Sequence, residues 1–227
     1  MGEARPPIHA WLFDYGGTLD GEGWHWFDRF VHLYREAGSG LAVEELKRAF
    51  YTADAGLHRE ARERRFRLRP MMERHVEIQE SVLGEPVRRI ADRLVDGFCA
   101  MTETGWSRAR ETLARLREGG ARLGVVSNFY GNLDTQLEEA GLAPLLEVVV
   151  ESAAVGVEKP DPAIYRVALE RLRLPPVSAA MVGDNFERDV RVAKSIGMVA
   201  VWLRRNGRPV PEAGVADRVI GRLGELP

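Results

Sequence analysis

Cysteine is almost missing from this chain of 227 residues: Cys99 stands alone. No disulfide can form within the chain, which excludes a disulfide-stapled scaffold. Lysine is nearly as scarce; against many arginines, only Lys47, Lys159 and Lys194 occur. No apolar stretch approaches the ~18 residues of a membrane span, so no membrane partner is expected. Neither charge sign dominates. A formal net charge of −2 argues against a dedicated nucleic-acid binder. The opening MGEARPPIHA lacks the apolar core of a secretion signal, and Pro6 stands where a myristoylation signal needs serine or threonine. A cytoplasmic protein is expected. There is no internal repeat and no low-complexity linker, and His25, His32, His58 and His75 lack the spacing of a zinc site.

What is present is an ordinary globular composition, with 45% hydrophobic and 29% charged residues. The length suits one domain with a sizeable insertion, or two small domains. Short, nearly continuous apolar runs at Ile8–Phe13, Arg122–Ser127, Leu146–Val150, Ala179–Val182 and Val199–Leu203 predict buried parallel strands, with a weaker one at Arg218–Ile220. Helical patterns at Ser107–Glu118, Asn132–Ala140, Pro162–Arg173 and Glu187–Ile196 separate the later ones. Strand–helix alternation predicts an α/β fold, a Rossmann-like three-layer core around a parallel sheet.

Residues 22–104 contain no convincing strand. Their patterns predict helices at Trp24–Ala37, Val43–Ala55, Arg59–Leu83 (interrupted at Pro70) and Pro86–Met101. An all-helical cap over 21–104 is therefore expected to interrupt a core made of 1–20 and 105–227.

Ligands of an open parallel sheet bind beyond the carboxyl ends of its strands. That rule gathers Asp14, Ser127, Asn128, Gly183, Asp184 and Asn185 at one edge, with Lys159 on the loop after the third strand. Asp14 and Asp184, with Asp189 near, repel one another unless a cation intervenes, and a sparse set of hard oxygen ligands suits Mg²⁺. A hydroxyl and an ammonium beside a metal suit a phosphoryl group. The glycine-rich turn after Asp14 can form an anion-binding nest, and a carboxylate can itself be a nucleophile. In an arginine-rich chain, Lys159 at this edge points to a need for a compact, flexible charge.

Four stretches, DYGGTL (14–19), VVSN (125–128), VEKPDPAIY (157–165) and VGDNFERD (182–189), resemble in order the motifs of the haloacid dehalogenase superfamily, most of whose members are phosphohydrolases. The chain is identified as a helical-cap, phosphatase-type member. The resemblance implies a Mg²⁺-dependent phosphatase acting on a small phosphorylated metabolite through an aspartyl-phosphate. Asp14 would be the nucleophile and a metal ligand, joined by the backbone carbonyl of Gly16, Asp184 and Asp189. Gly17, Thr18, Ser127, Asn128 and Lys159 would surround the phosphoryl group, with Lys159 also countering the carboxylates. Arg188 stands where related sequences often carry a small polar residue.

Gly16 departs from the pattern. The family places a second aspartate there as general acid and then base, a role that contributes roughly 10²–10⁴-fold. Asp20, Glu22 and His25 are the nearest replacements in sequence, and good leaving groups need no replacement. Two alternatives stay open: a weak or inactive phosphate-binding regulatory protein, and another reaction such as a phosphonatase, for which Lys47 is the only lysine in the expected cap. Elsewhere, Trp24, Trp26, Phe27 and Phe30 are expected to pack cap against core, the basic run 59–69 to be a solvated helix face, and Cys99 to be inert filling.

Overall fold

The computed structural model describes residues 7–227 except 206, 208 and 210; the first six residues of the expected core segment 1–20 lie outside it. Six strands form one parallel sheet: β1 (Ala10–Phe13), β2 (Arg122–Ser127), β3 (Val148–Glu151), β4 (Ala179–Gly183), β5 (Val199–Leu203) and β6 (Arg218–Ile220). Their spatial order is β3-β2-β1-β4-β5-β6, with every pair parallel. The chain therefore leaves β1 toward one side and later returns to pair on its other side. That makes the carboxyl end of β1 the switch point where a crevice opens.

Residues alternate between the sheet's two faces, as the pleat requires. Trp11 and Phe13 join one apolar cluster with Val125, Val182 and Val201; Ala10 and Leu12 join another with Val126, Met181 and Trp202. The second is covered by α8 (Ala163–Leu172) and by a helical turn, Phe186–Arg191, that runs into α9 (Val192–Ser195). The first is covered by α5 (Ala91–Glu118) and α6 (Leu133–Glu139). This is the three-layer α/β arrangement expected.

Between β1 and β2 lie α1 (Trp26–Glu36), α2 (Val43–Arg64), α3 (Leu68–Leu83), the short α4 (Glu85–Arg88) and α5. Their apolar faces join the same cluster as the sheet, through Tyr15, Trp26, Phe30, Phe98 and Phe129. A short α7 (Ser152–Val155) follows β3.

Three helix expectations need correction. The break expected at Pro70 falls earlier: α2 continues to Arg64, Arg65 closes it in the left-handed region (φ 45°), and α3 begins at Leu68. Pro70 sits in the first turn of α3, where a missing N–H costs nothing. The helix expected to stop at Ala55 continues because Gly56 brings α2 close to α3; a Cβ there would stand 2.5 Å from Ile78 Cδ1. The helices expected at Pro86–Met101 and Ser107–Glu118 are not separate. Pro86 lies in α4, and α5 runs unbroken from Ala91 through Gly105, where a Cβ would meet the Asp20 carbonyl oxygen at 2.5 Å. These glycines permit close approach rather than ending helices. The boundary expected at 104/105 thus falls inside α5.

Candidate active site

Asp14 caps the end of β1, its N–H bonded to the Val182 carbonyl of neighbouring β4 at 2.9 Å. Asp14 Oδ1 accepts hydrogen bonds from Ser127 Oγ (2.9 Å) at the end of β2 and from Lys159 Nζ (2.7 Å). Lys159 Nζ also donates to Asp189 Oδ1 at 2.7 Å. The Lys159 side chain is 3% exposed. Burial pulls its pKa down, but the adjacent Asp14 and Asp189 carboxylates outweigh that and hold it above the ordinary lysine value. Burial dominates at Asp189: it raises the carboxyl to about 6 against the pull of Lys159, and Asp14 adds to the rise. Carboxylate oxygens of Asp14, Asp184 and Asp189 lie within 4.8 Å of one another. Three anionic oxygen donors this close fit a hard divalent cation.

Local backbone explains this convergence. Gly17 has φ +86°, and a Cβ on it would stand 2.7 Å from the Asp184 carboxylate. At Gly183 a Cβ would meet the Asp189 carboxyl carbon at 2.3 Å. Both glycines are small because carboxylates fill the adjoining space. The Asp184 N–H donates to Thr18 Oγ1 (3.1 Å), Trp202 Nε1 donates to the Asp184 carbonyl (3.1 Å), and Asn185 N–H donates to Asp189 Oδ2 (3.1 Å). Asn128 grips the Lys159 backbone at both ends: its Nδ2 donates to the carbonyl (2.9 Å) and its Oδ1 accepts the N–H (2.8 Å).

The fold therefore brings Asp14, Ser127, Lys159, Asp184 and Asp189 together, with Asn128 behind Lys159 as its holder. Gly17 and Thr18 back the cluster rather than line the cavity in front of it. The Gly17 N–H donates to Asp20 Oδ1 at 2.6 Å, and the fully buried Thr18 hydroxyl engages Asp184.

The residues near Gly16 separate sharply. Asp20 is fully buried; besides Gly17 it accepts from Trp26 Nε1 (2.5 Å) and Arg29 Nη2 (2.6 Å). Burial raises its pKa, opposed chiefly by Arg29. Arg29 is buried too, with Thr102 and the Trp24 carbonyl as its other partners. Glu22 pairs with Arg108 and lines a different cavity, of about 760 Å³, beside α5 and the C-terminal segment. His25 caps α1, its Nδ1 accepting the Phe27 N–H at 3.2 Å.

A cavity of about 600 Å³ is lined by Asp14, Gly16, Lys159 and Asp184 and also by His25, Trp26, Asp54 and His58 of the helical insert. Tyr130, three residues beyond Ser127, lines it as well and donates its hydroxyl to Asp54 Oδ1. Burial raises the Tyr130 pKa, and the Asp54 carboxylate adds to the rise. Arg188 also lines the cavity. Lys47 is exposed on α2 and does not line it.

Sequence reasoning missed Asp54, His58, Tyr130 and Arg29. Asp54 and His58 are one helical turn apart on α2, but nothing in their spacing says which way that face points. Trp26 and Phe30 pack as expected, though Trp26 also lines the cavity. The arginines of 59–69 are exposed, and Glu60 pairs with Arg74 at 2.7 Å. Cys99 is buried, and burial pushes its thiol up to about 11. No helix among the described residues is long and apolar enough to cross a membrane.

Residues 8–197 match the haloacid dehalogenase-like hydrolase family. A phosphoserine phosphatase of Thermus thermophilus is 40% identical over 119 residues, 52% of this chain and 48% of the relative. A glyceraldehyde 3-phosphate phosphatase of Methanopyrus kandleri is 41% identical over 120 residues, 51% and 52% of the two chains. The chain thus matches about half the length of these curated relatives. A solved structure of a haloacid dehalogenase phosphatase from Thermococcus onnurineus superposes with a TM-score of 0.56 at 27% identity, covering 96% of this chain and 95% of the other.

Proposed function

The chain belongs to the haloacid dehalogenase-like hydrolase family, and on that premise we propose that it hydrolyses a small phosphorylated metabolite through an aspartyl-phosphate on Asp14. One observation carries this reading: a buried carboxylate held by Ser127 at 2.9 Å and Lys159 at 2.7 Å lines a cavity together with Asp184 and Asp189. Both bonds engage Oδ1, which leaves Oδ2 as the attacking oxygen. A bond forms from Oδ2 to phosphorus as the bond to the leaving oxygen breaks, and that oxygen takes up a proton. Water then attacks phosphorus, releasing phosphate and regenerating Asp14. Ser127 and Lys159 are positioned to follow the phosphoryl oxygens, and the Lys159 charge offsets those that gather there. Mg²⁺, held by Asp14, the Gly16 carbonyl, Asp184 and Asp189, would further neutralise phosphoryl charge.

In this reading residues 21–104 act as a cap over the core formed by 1–20 and 105–227, and the insert side of the cavity selects the leaving group. Asp20 is a structural carboxylate rather than an acid–base group, because Gly17, Trp26 and Arg29 already occupy its oxygens.

A screen of phosphorylated metabolites with Mg²⁺ tests the reading. Wild type is expected to hydrolyse a subset, and Asp14→Asn to lose on the order of 10³-fold or more in kcat. Equal activity of Asp14→Asn removes the nucleophile assignment. Mg²⁺-dependent phosphate binding with no turnover of any substrate would favour a phosphate-binding regulatory protein instead.

A further inference from the structure

Hydrolysis of an ordinary alcohol phosphate needs a group that gives a proton to the leaving oxygen and later takes one from water. Gly16 has no side chain to do it. The groups nearest in sequence are occupied. Asp20 is saturated by three donors, and Glu22 faces another cavity in an ion pair with Arg108. His25 is committed to capping α1, its Nδ1 accepting the Phe27 N–H at 3.2 Å.

Among the remaining groups that line the cavity, Asp14, Asp184 and Asp189 belong to the nucleophile and cation cluster, Glu187 is paired with Arg191, and Glu158 is exposed on the core loop just before Lys159 rather than on the insert. Asp54 is engaged by Tyr130, whose hydroxyl donates to its Oδ1. His58 is different. Its ring rests edge-on against Tyr130, centroids 4.6 Å apart; Tyr130 lies 5.9 Å from Trp26, and Trp26 Nε1 is 3.8 Å from where a Cβ on Gly16 would stand. A continuous aromatic wall thus runs from Gly16 to an imidazole on the insert side of the cavity. The Tyr130–Asp54 hydrogen bond fixes that stretch of α2, one turn before His58, to the loop that follows Ser127.

We propose that His58 is the acid–base residue that stands in for the missing carboxylate at position 16. As the phosphorus–oxygen bond to the leaving group breaks, the imidazolium of His58 gives its proton to the departing oxygen. The neutral imidazole then takes a proton from the water that attacks the phosphoryl group on Asp14, returning His58 to its starting form. Departing oxygen and incoming water occupy the same position, in line with Asp14, so one side chain serves both. This rests on the phosphohydrolase reading above.

The test uses the full chain with Mg²⁺, an alkyl phosphate that wild type hydrolyses, and 4-nitrophenyl phosphate, whose leaving group departs without a proton. In His58→Ala and His58→Gln, kcat/KM on the alkyl phosphate is expected to fall about 10²-fold or more, and on 4-nitrophenyl phosphate by a factor at least ~10 smaller. Adding Gly16→Asp to His58→Ala should recover the alkyl phosphate rate, since a Cβ at position 16 fits; a merely structural histidine would not be rescued this way. Equal losses on both substrates, no loss on either, or no rescue overturns the proposal while the phosphohydrolase reading stands. Wild type inert on every phosphate ester overturns both.

Discussion

At Gly17 a Cβ would stand 2.7 Å from the Asp184 carboxylate and φ is +86°, whereas at Gly16 the nearest neighbour is Trp26 Nε1 at 3.8 Å and φ is −69°. The two glycines are adjacent, but only one is there for lack of room. Gly16→Ala is expected to leave stability unchanged or raise it by up to about 1 kcal/mol, because the backbone angle suits any residue and the unfolded chain loses freedom. Gly17→Ala is expected to lower stability by more than that, through both the left-handed φ and the contact with Asp184. Urea midpoints of the two variants against wild type check this; a Gly17→Ala variant as stable as Gly16→Ala would contradict it. The same contrast bears on what the sequence could reveal. The order of Asp14, Ser127, Lys159 and Asp184 along the chain was legible because each ends or follows a strand. The fate of Asp20 was not, because its partners Trp26 and Arg29 reach it only once α1 has folded back.

At the scale of elements, α1, α2 and α3 meet around a buried histidine. His75 of α3 stacks on Phe30 of α1 (4.8 Å) and against Phe50 of α2 (5.0 Å), and Gln79 Nε2 bonds its Nδ1 at 2.7 Å. Burial lowers its pKa from 6.5 to about 3. The folded protein therefore refuses a proton that the unfolded chain accepts, so this contribution to stability is intact above pH ~6.5 and is lost as pH falls toward ~3. The loss between pH 7 and pH 5 is expected to be about 2 kcal/mol. Chemical unfolding across that range should show it, and His75→Gln should remove this slope; an equal slope in the variant would rule His75 out as its source. Helix existence was legible from periodicity here. Helix ends were not, since Gly56 and Gly105 look like breaks in one dimension and are contact points in three. The Pro70 position misleads for a related reason: proline is tolerated in a first turn, and only the left-handed Arg65 marks where α2 stops.

For the molecule as a whole, two halves of the candidate site come from parts of the chain with different legibility. The sheet edge follows a topological rule that needs only strand order, so its residues could be placed beforehand. The insert side depends on how α2 is oriented over the sheet, which no local pattern encodes, so Asp54 and His58 emerge only from the packed structure. Loading of the carboxylate cluster has a global readout. Mg²⁺ at 100 times its dissociation constant is expected to stabilise the fold by about 2.7 kcal/mol, and EDTA to reverse this. Asp184→Asn should weaken the response, measured as the metal-dependent shift in unfolding. No shift in wild type would separate the cluster from cation binding. Lys159, bonded to both Asp14 and Asp189, keeps the metal-free fold tolerable by supplying positive charge of its own.

Helix α5 crosses from the insert to the sheet without a break, burying Phe98 on the first side and Trp106, Leu113 and Leu116 on the second. The other crossing, residues 20–25, is a turn containing Gly21, Gly23 and a left-handed Glu22. One tether is thus an unbroken beam and the other a compact turn held by its own bonds, the Gly23 N–H to the Gly17 carbonyl at 2.7 Å and the Trp24 N–H to the Gly21 carbonyl at 2.9 Å. A beam clamped along the sheet does not fold at its middle without breaking its own hydrogen bonds. Large swings of the whole insert are therefore mechanically resisted. The Tyr130–Asp54 hydrogen bond adds a third fastening, from α2 of the insert to the loop that follows β2.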